Sequence, residues 1–146
     1  MAARWVCAIG WVWCGLVGTA AAAVYTVTNA ADSGVGTLRD CIQQANTNPG
    51  SHTIAFNLPS PYTIAPTSQL PPIANAVWID GSTQPGYTGA PVVRINGASV
   101  SLSGGLLFNV RGGGAHALYV TGFTNGSGVA LNGQSNRVSG CWCISN

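Results

Sequence analysis

The side chains able to do chemistry are few. The chain has three carboxylates (Asp32, Asp40 and Asp80), five arginines, two histidines and five cysteines, with no Glu and no Lys. A glycoside hydrolase needs two carboxylates facing one bond, an acid and a base or nucleophile. A polysaccharide lyase needs a base and a way to neutralise the sugar carboxylate, often calcium held by an acidic cluster. Asp32 and Asp40 belong to one N-terminal motif and Asp80 to a repeating turn phrase, so no carboxylate pair is visible. No catalytic, cofactor-binding or metal-ligating set is assigned, and no cofactor is expected. His52 and His116 read as surface residues without a partner.

Arg94, Arg111 and Arg137 are the remaining candidates: aligned on one face, they would form a ladder able to contact an anionic polysaccharide. The alternative is that they are solvated outward residues, since no acidic cluster accompanies them. The aromatics Tyr62, Trp78, Tyr87, Tyr119 and Trp142 are of a kind that stacks on sugar rings, but some must fill the core or cover the cap, and the five do not by themselves make a binding site. Nucleic acid is disfavoured, because residues 24–146 carry four Arg against three Asp and no basic run that could track phosphates. Gly112-Gly113-Gly114 lacks the Lys and Ser/Thr of a phosphate-binding loop and reads as a turn.

The elements that must position these groups begin with residues 24–51. Residues 24–46 read as a short strand, a Gly-rich turn and a helix, in which Leu38, Cys41, Ile42 and Ala45 fall at i, i+3, i+4 and i+7, one face. Thr37 is its N-cap, with Asp40 at the third helical position as an acidic capping-box partner facing the positive end of the helix dipole. Asn48-Pro49-Gly50 stops it. Thr37, Leu38, Asp40, Cys41 and Ile42 are thus expected to form a structural cap, a lid over the β-rich remainder of the chain.

Beyond residue 52 the chain is poor in helix formers and rich in turn residues: it has twenty Gly, eight Pro and eleven Asn in all. Trp78-Ile79-Asp80-Gly81, Arg94-Ile95-Asn96-Gly97 and Ala130-Leu131-Asn132-Gly133 share one phrase, an apolar residue followed by Asn or Asp and then Gly. Asn or Asp tolerates left-handed backbone at a tight bend and Gly adopts it freely. Intervals of 16 and 36 residues suggest one and two turns of a repeat. Strict alternation in Val92–Asn96 places Val93 and Ile95 inward and Arg94 outward. Gly105 and Gly128 look like corresponding strand starts.

The phrases Asp32-Ser33-Gly34, Gly36-Thr37-Leu38-Arg39-Asp40-Cys41-Ile42 and Ala45-Asn46 resemble the N-terminal motif of secreted bacterial proteins of the CSLREA-motif type. Gly36 stands where that family has its leading Cys, and Cys41 where it has Ala. Thr53-Ile54-Ala55-Phe56-Asn57, Ile79-Asp80-Gly81-Ser82 and Gln84-Pro85-Gly86-Tyr87 are similar to the family's following segments. The resemblance implies an all-β fold: a right-handed parallel β-helix, a solenoid with an N-terminal amphipathic capping helix, here ending before the stack is closed. The implied function is that of a secreted or cell-surface structural or adhesive protein, contacting carbohydrate or another surface. The competing reading is the front part of a carbohydrate-active enzyme, a pectin-type lyase or glycoside hydrolase, with its active site on later coils.

Residues 1–23 have the form of a secretory signal: Arg4, an apolar run from Trp5 to Val17, and Ala21-Ala22-Ala23 at a cleavage position. An uncleaved membrane anchor over Trp5 to Val24 is the rival, and the only expected membrane contact. The expected organisation is therefore a signal over 1–23, a cap over 24–51 and coils over 52–146. The location is extracellular or cell-surface, with end-to-end self-association at the open C-terminal coil. Cleavage would leave Cys41, Cys141 and Cys143; Cys41 reads as packed under the helix and Cys143 as an inward apolar position, Cys141 stands where a turn Asn is usual, and the Cys141-x-Cys143 pair falls short of a metal site.

Overall fold

The computed structural model describes residues 21–100 and 104–146. Residues 1–20, nearly all of the segment whose sequence reads as a signal or anchor, lie outside the described residues. Among the described residues no helix is long and apolar enough to cross a membrane.

The first strand, β1 (Val24–Val27), leads through a turn into α1 (Leu38–Thr47). Thr37 caps the helix as its spacing predicts, its Oγ1 accepting from the Asp40 N–H at 3.2 Å. The Asp40 carboxylate reaches one residue further back than a capping box requires and accepts from the Gly36 N–H at 2.9 Å. Leu38, Cys41, Ile42 and Ala45 are all buried, and α1 packs them against β1 and the next strand, β2 (His52–Phe56). Burying a side chain the size of Leu38 or Ile42 contributes about 1.5–3 kcal/mol. This one face therefore accounts for the lid.

After β2 come β3 (Thr63–Ile64), β4 (Val77–Asp80), a 3-10 turn (Gly81–Thr83) and β5 (Val93–Asn96). They are followed by β6 (Leu106–Phe108), β7 (Gly114–His116) and β8 (Leu118–Thr121). The last three strands are β9 (Val129–Leu131), β10 (Arg137–Ser139) and β11 (Trp142–Ile144). Every pairing is parallel. The strands form a five-stranded sheet ordered β1-β2-β4-β7-β10, a four-stranded sheet ordered β11-β8-β5-β3, and the pair β6-β9.

The expected all-β solenoid is thereby corrected. Among the described residues the fold is mixed, about 33% strand and 11% helix, with three small parallel sheets, one helix and no closed or solenoid sheet. Proline is one physical reason. Five of the eight prolines lie within residues 59–72, where a missing N–H and a fixed φ cut ladder formation down to the two residues of β3. The repeated Asn/Asp-Gly phrase is a second. Its three copies end β4, β5 and β9, which belong to three different sheets, so they mark strand ends rather than equivalent points of a repeat.

The glycines of those phrases also serve another purpose than expected. Gly81, Gly97 and Gly133 are absent from the left-handed positions. A Cβ on each would instead collide with the Ala117 carbonyl, the Phe123 ring and the Val110 carbonyl respectively. Close approach of a neighbouring segment requires glycine there.

The core is filled by alternate residues of the paired strands. Ile54, Ile79 and Ala115 stack in register across the five-stranded sheet, and Ile64, Ile95 and Val120 across the four-stranded one, each essentially closed to solvent. Leu106 pairs with Val129 and Phe108 with Leu131, 23 residues apart in sequence.

Replacing Leu38 by Asp places an unpaired charge on the buried face of α1 and should lower stability by about 3 kcal/mol or more. Urea unfolding of the wild type and Leu38→Asp checks this, and an unchanged midpoint would mean that α1 does not close the sheet end.

Candidate functional site

Each carboxylate is engaged in holding the fold. Asp32 receives the Arg39 guanidinium at 2.6 Å on Oδ1 and the Thr67 hydroxyl at 2.6 Å on Oδ2. Arg39 also donates to the backbone carbonyls of Asp32, Ser68 and Gln69. It thereby clasps the turn before α1 to the segment at 67–69. Arg39 and Thr67 together hold the Asp32 carboxyl below the ordinary carboxylate range. Asp40 serves the helix cap, and Asp80 Oδ1 accepts from the N–H and hydroxyl of Ser82 at 3.0 and 2.6 Å, fixing the 3-10 turn. No two carboxylates meet, and among the described residues no group of three or more His, Cys, Asp or Glu gathers to hold a metal.

His52 is buried rather than superficial. Its Nδ1 accepts from the Ala23 N–H at 3.2 Å, so Nε2 carries the proton and donates to the Asn48 carbonyl at 2.8 Å, with the ring edge against Tyr25. It is a latch between the start of β1 and the end of α1. Ala23 O also accepts from the Thr53 N–H at 2.9 Å, continuing the β1–β2 hydrogen bonding back to Ala23.

Two outward rows present polar and aromatic groups. On the five-stranded sheet Asp80, His116 and Ser139 are register partners on adjacent strands, as are Trp78, Gly114 and Arg137. Trp78 leans over Gly114, where a Cβ would crowd its ring, and stacks on His116 with ring centroids 6.3 Å apart and an interplanar angle of 16°. His116 Nδ1 lies 3.0 Å from both the carbonyl and the Oγ of Ser139. Nδ1 donates to the carbonyl in one tautomer and accepts from the Oγ in the other.

On the four-stranded sheet the outward row is Thr63, Arg94, Tyr119 and Trp142, in register across β3, β5, β8 and β11. Val93 and Ile95 are buried on either side of Arg94, as the alternation predicts. The Arg94 guanidinium carbon lies 5.2 Å from the centroid of the Tyr119 ring, and the Tyr119 and Trp142 rings meet edge to face at 6.0 Å and 70°. Arg94 Nε is buried without a hydrogen-bond partner, and the one ion pair among the described residues is Arg39–Asp32, so this cation has no carboxylate beside it. The row combines a cation, a phenol and an indole, with Trp142 49% exposed at its end.

The three arginines expected to form a ladder do not share a face. Arg94 sits on β5 of the four-stranded sheet, Arg137 on β10 of the five-stranded sheet, and Arg111 in the turn between β6 and β7. The partners of Arg94 are aromatic instead. The spacing of Arg94, Tyr119 and Trp142, all outward on strands paired in parallel, is the sequence signal that a search for basic ladders overlooks.

Cys41, Cys141 and Cys143 are free thiols. Burial, and then the nearby Asp40 carboxylate, push the Cys41 thiol up to about 11. Cys141 packs partly against the core, and burial raises its thiol as well. Cys143 continues the inward row of Val120 yet is exposed, a correction to the expected apolar position.

Comparison with protein-family models, curated proteins and solved structures finds no match.

These environments set two outcomes. Asp32 is depressed in the folded state, so its contribution to stability is present above about pH 4 and is lost as pH falls through its folded value. Thermal melts between pH 7 and 2.5 should show an acid-dependent loss that Asp32→Asn reduces, and an identical pH dependence in the two proteins would contradict the clasp. Iodoacetamide at neutral pH should alkylate Cys143 in the native protein and leave Cys41 unmodified until denaturant is added. Peptide mass spectrometry reads this directly, and early Cys41 labelling would contradict its burial.

Proposed function

We propose that this chain is a secreted or cell-surface protein with a structural or adhesive role, contacting carbohydrate through the outward row of the four-stranded sheet, and non-enzymatic in this portion. The observation that carries the reading is the register of Tyr119 and Trp142 beside Arg94, which gathers two aromatic rings, edge to face, and one cation over the Tyr119 ring on the outer side of the sheet. Aromatic faces pack against the apolar C–H faces of sugars while hydroxyls remain free to bond. The leader-like residues 1–23 and the resemblance of residues 24–46 to secreted bacterial proteins of the CSLREA-motif type support the location. The engagement of Asp32, Asp40 and Asp80 in cap, clasp and turn supports a non-catalytic role.

A second reading concerns self-association, favoured by the strands at the outer end of each sheet. Leu131 and Val138 pair with the fully buried Phe108 and Ala115, yet they are 41% and 37% exposed, so the inward rows emerge into solvent on β9 and β10. Unpaired parallel edges with apolar residues invite strand addition. At the opposite end α1 covers β1, which directs pairing of two copies to this end.

For carbohydrate contact, glycan arrays and titration with cellohexaose should detect binding that Trp142→Ala weakens by about fivefold to tenfold, the loss of roughly 1 kcal/mol of ring contact. Binding unaffected by Trp142→Ala would move the site elsewhere. For self-association, sedimentation velocity should show a concentration-dependent dimer that Val138→Asp dissociates, and a monomer at all concentrations would reject the second reading.

A further inference from the structure

We propose that the carbohydrate taken by the Thr63–Arg94–Tyr119–Trp142 row is a uronate-containing polysaccharide, with one sugar carboxylate on the Arg94 guanidinium and the following rings on Tyr119 and Trp142. This rests on the carbohydrate-binding reading of that row and names the class of sugar.

Arg94 is half-buried on the sheet surface, and its ring partner Tyr119 supplies only the weak attraction of a quadrupole. Asp32 is taken by Arg39 and Asp40 by the helix cap, and Asp80 lies on another sheet. The row therefore presents a fixed positive charge that no side chain neutralises, and an acceptor of opposite charge complements it.

The direction of approach narrows the acceptor. Nε is buried, so the side of the guanidinium that would use Nε with one terminal nitrogen is closed. We assign the carboxylate to the edge formed by the two terminal nitrogens, whose parallel N–H donors match its two oxygens. A sulfate offers three oxygens and is favoured by several converging cations, whereas this row holds a single arginine.

Spacing sets the orientation of the chain. Neighbouring strands lie about 4.8 Å apart, close to the length of one pyranose unit, and the contacts along the row are 5.2 and 6.0 Å. A glycan running across the strands thus passes Arg94, Tyr119 and Trp142 in turn; the guanidinium lies over the Tyr119 ring and Trp142 meets that ring edge to face, so Trp142, 49% exposed, is the principal stacking face. Thr63, register partner of Arg94, supplies a hydroxyl at the other end.

The experiment compares three oligosaccharides of equal length and linkage with the full-chain protein by isothermal titration: cellohexaose, its C6-oxidised glucuronate analogue, and a sulfated analogue. The glucuronate analogue should bind at least about tenfold more tightly than cellohexaose, as expected for a charged hydrogen-bonded pair, and less tightly at high salt. Arg94→Gln should abolish that preference, Arg94→Lys should restore part of it, and Trp142→Ala should weaken both ligands alike. Equal binding of cellohexaose and the glucuronate analogue, a preference that survives Arg94→Gln, or tighter binding of the sulfated chain would overturn the uronate assignment and leave the carbohydrate reading standing. Absence of binding by all three would overturn both.

Discussion

Parallel register decides what this protein can do. Side chains alternate between the two faces of a strand, so a slip of one residue in the pairing of β2, β4 and β7 would bring Thr53 and Trp78 into the core and expel Ile54 and Ile79. The same alternation in the four-stranded sheet holds Ile64, Ile95 and Val120 inside and leaves Thr63, Arg94, Tyr119 and Trp142 outside. Core and candidate site are thus two sides of one constraint. The rings and the cation line up because the apolar residues between them must.

The two ends of the molecule are treated differently. At one end α1 covers β1 and β2 with a continuous apolar face, tied down by the Thr37 cap, the His52 latch and the Arg39 clasp to Asp32 and residues 68–69. Most of the charged groups of residues 24–146 are spent on this closure or on the Asp80 turn. At the other end Leu131, Val138 and Cys143 continue inward rows and meet solvent. Among the described residues Arg94, Arg111 and Arg137 are all without an ion pair, and of the three Arg94 has its Nε buried without a partner.

Local order was legible in the sequence where local physics sets it. The helix face of Leu38, Cys41, Ile42 and Ala45, its Thr37 cap and the alternation around Arg94 follow from spacing alone, and the structure places them accordingly. What depends on distant pairing was not legible. The Asn/Asp-Gly phrases suggested equivalent turns, but they end strands of three separate sheets, and their glycines answer to Ala117, Phe123 and Val110, which no local pattern reveals. His52 looked superficial because its partners, Ala23 and Asn48, are backbone groups. Arg94, Arg111 and Arg137 looked like a ladder because residue type was visible and sheet membership was not.

Core and candidate site both depend on the register that sets Arg94, Tyr119 and Trp142 side by side on the outer surface. Nuclear Overhauser contacts between their side chains in the full-chain protein test it most directly. The account requires cross-peaks from the Tyr119 ring to both the Arg94 side chain and the Trp142 indole, with Val120 contacting Ile95 and Cys143. Contacts from the Tyr119 ring to Val93 or Ile95 instead would mean that β8 is inverted and that neither the core nor the proposed site is arranged as described.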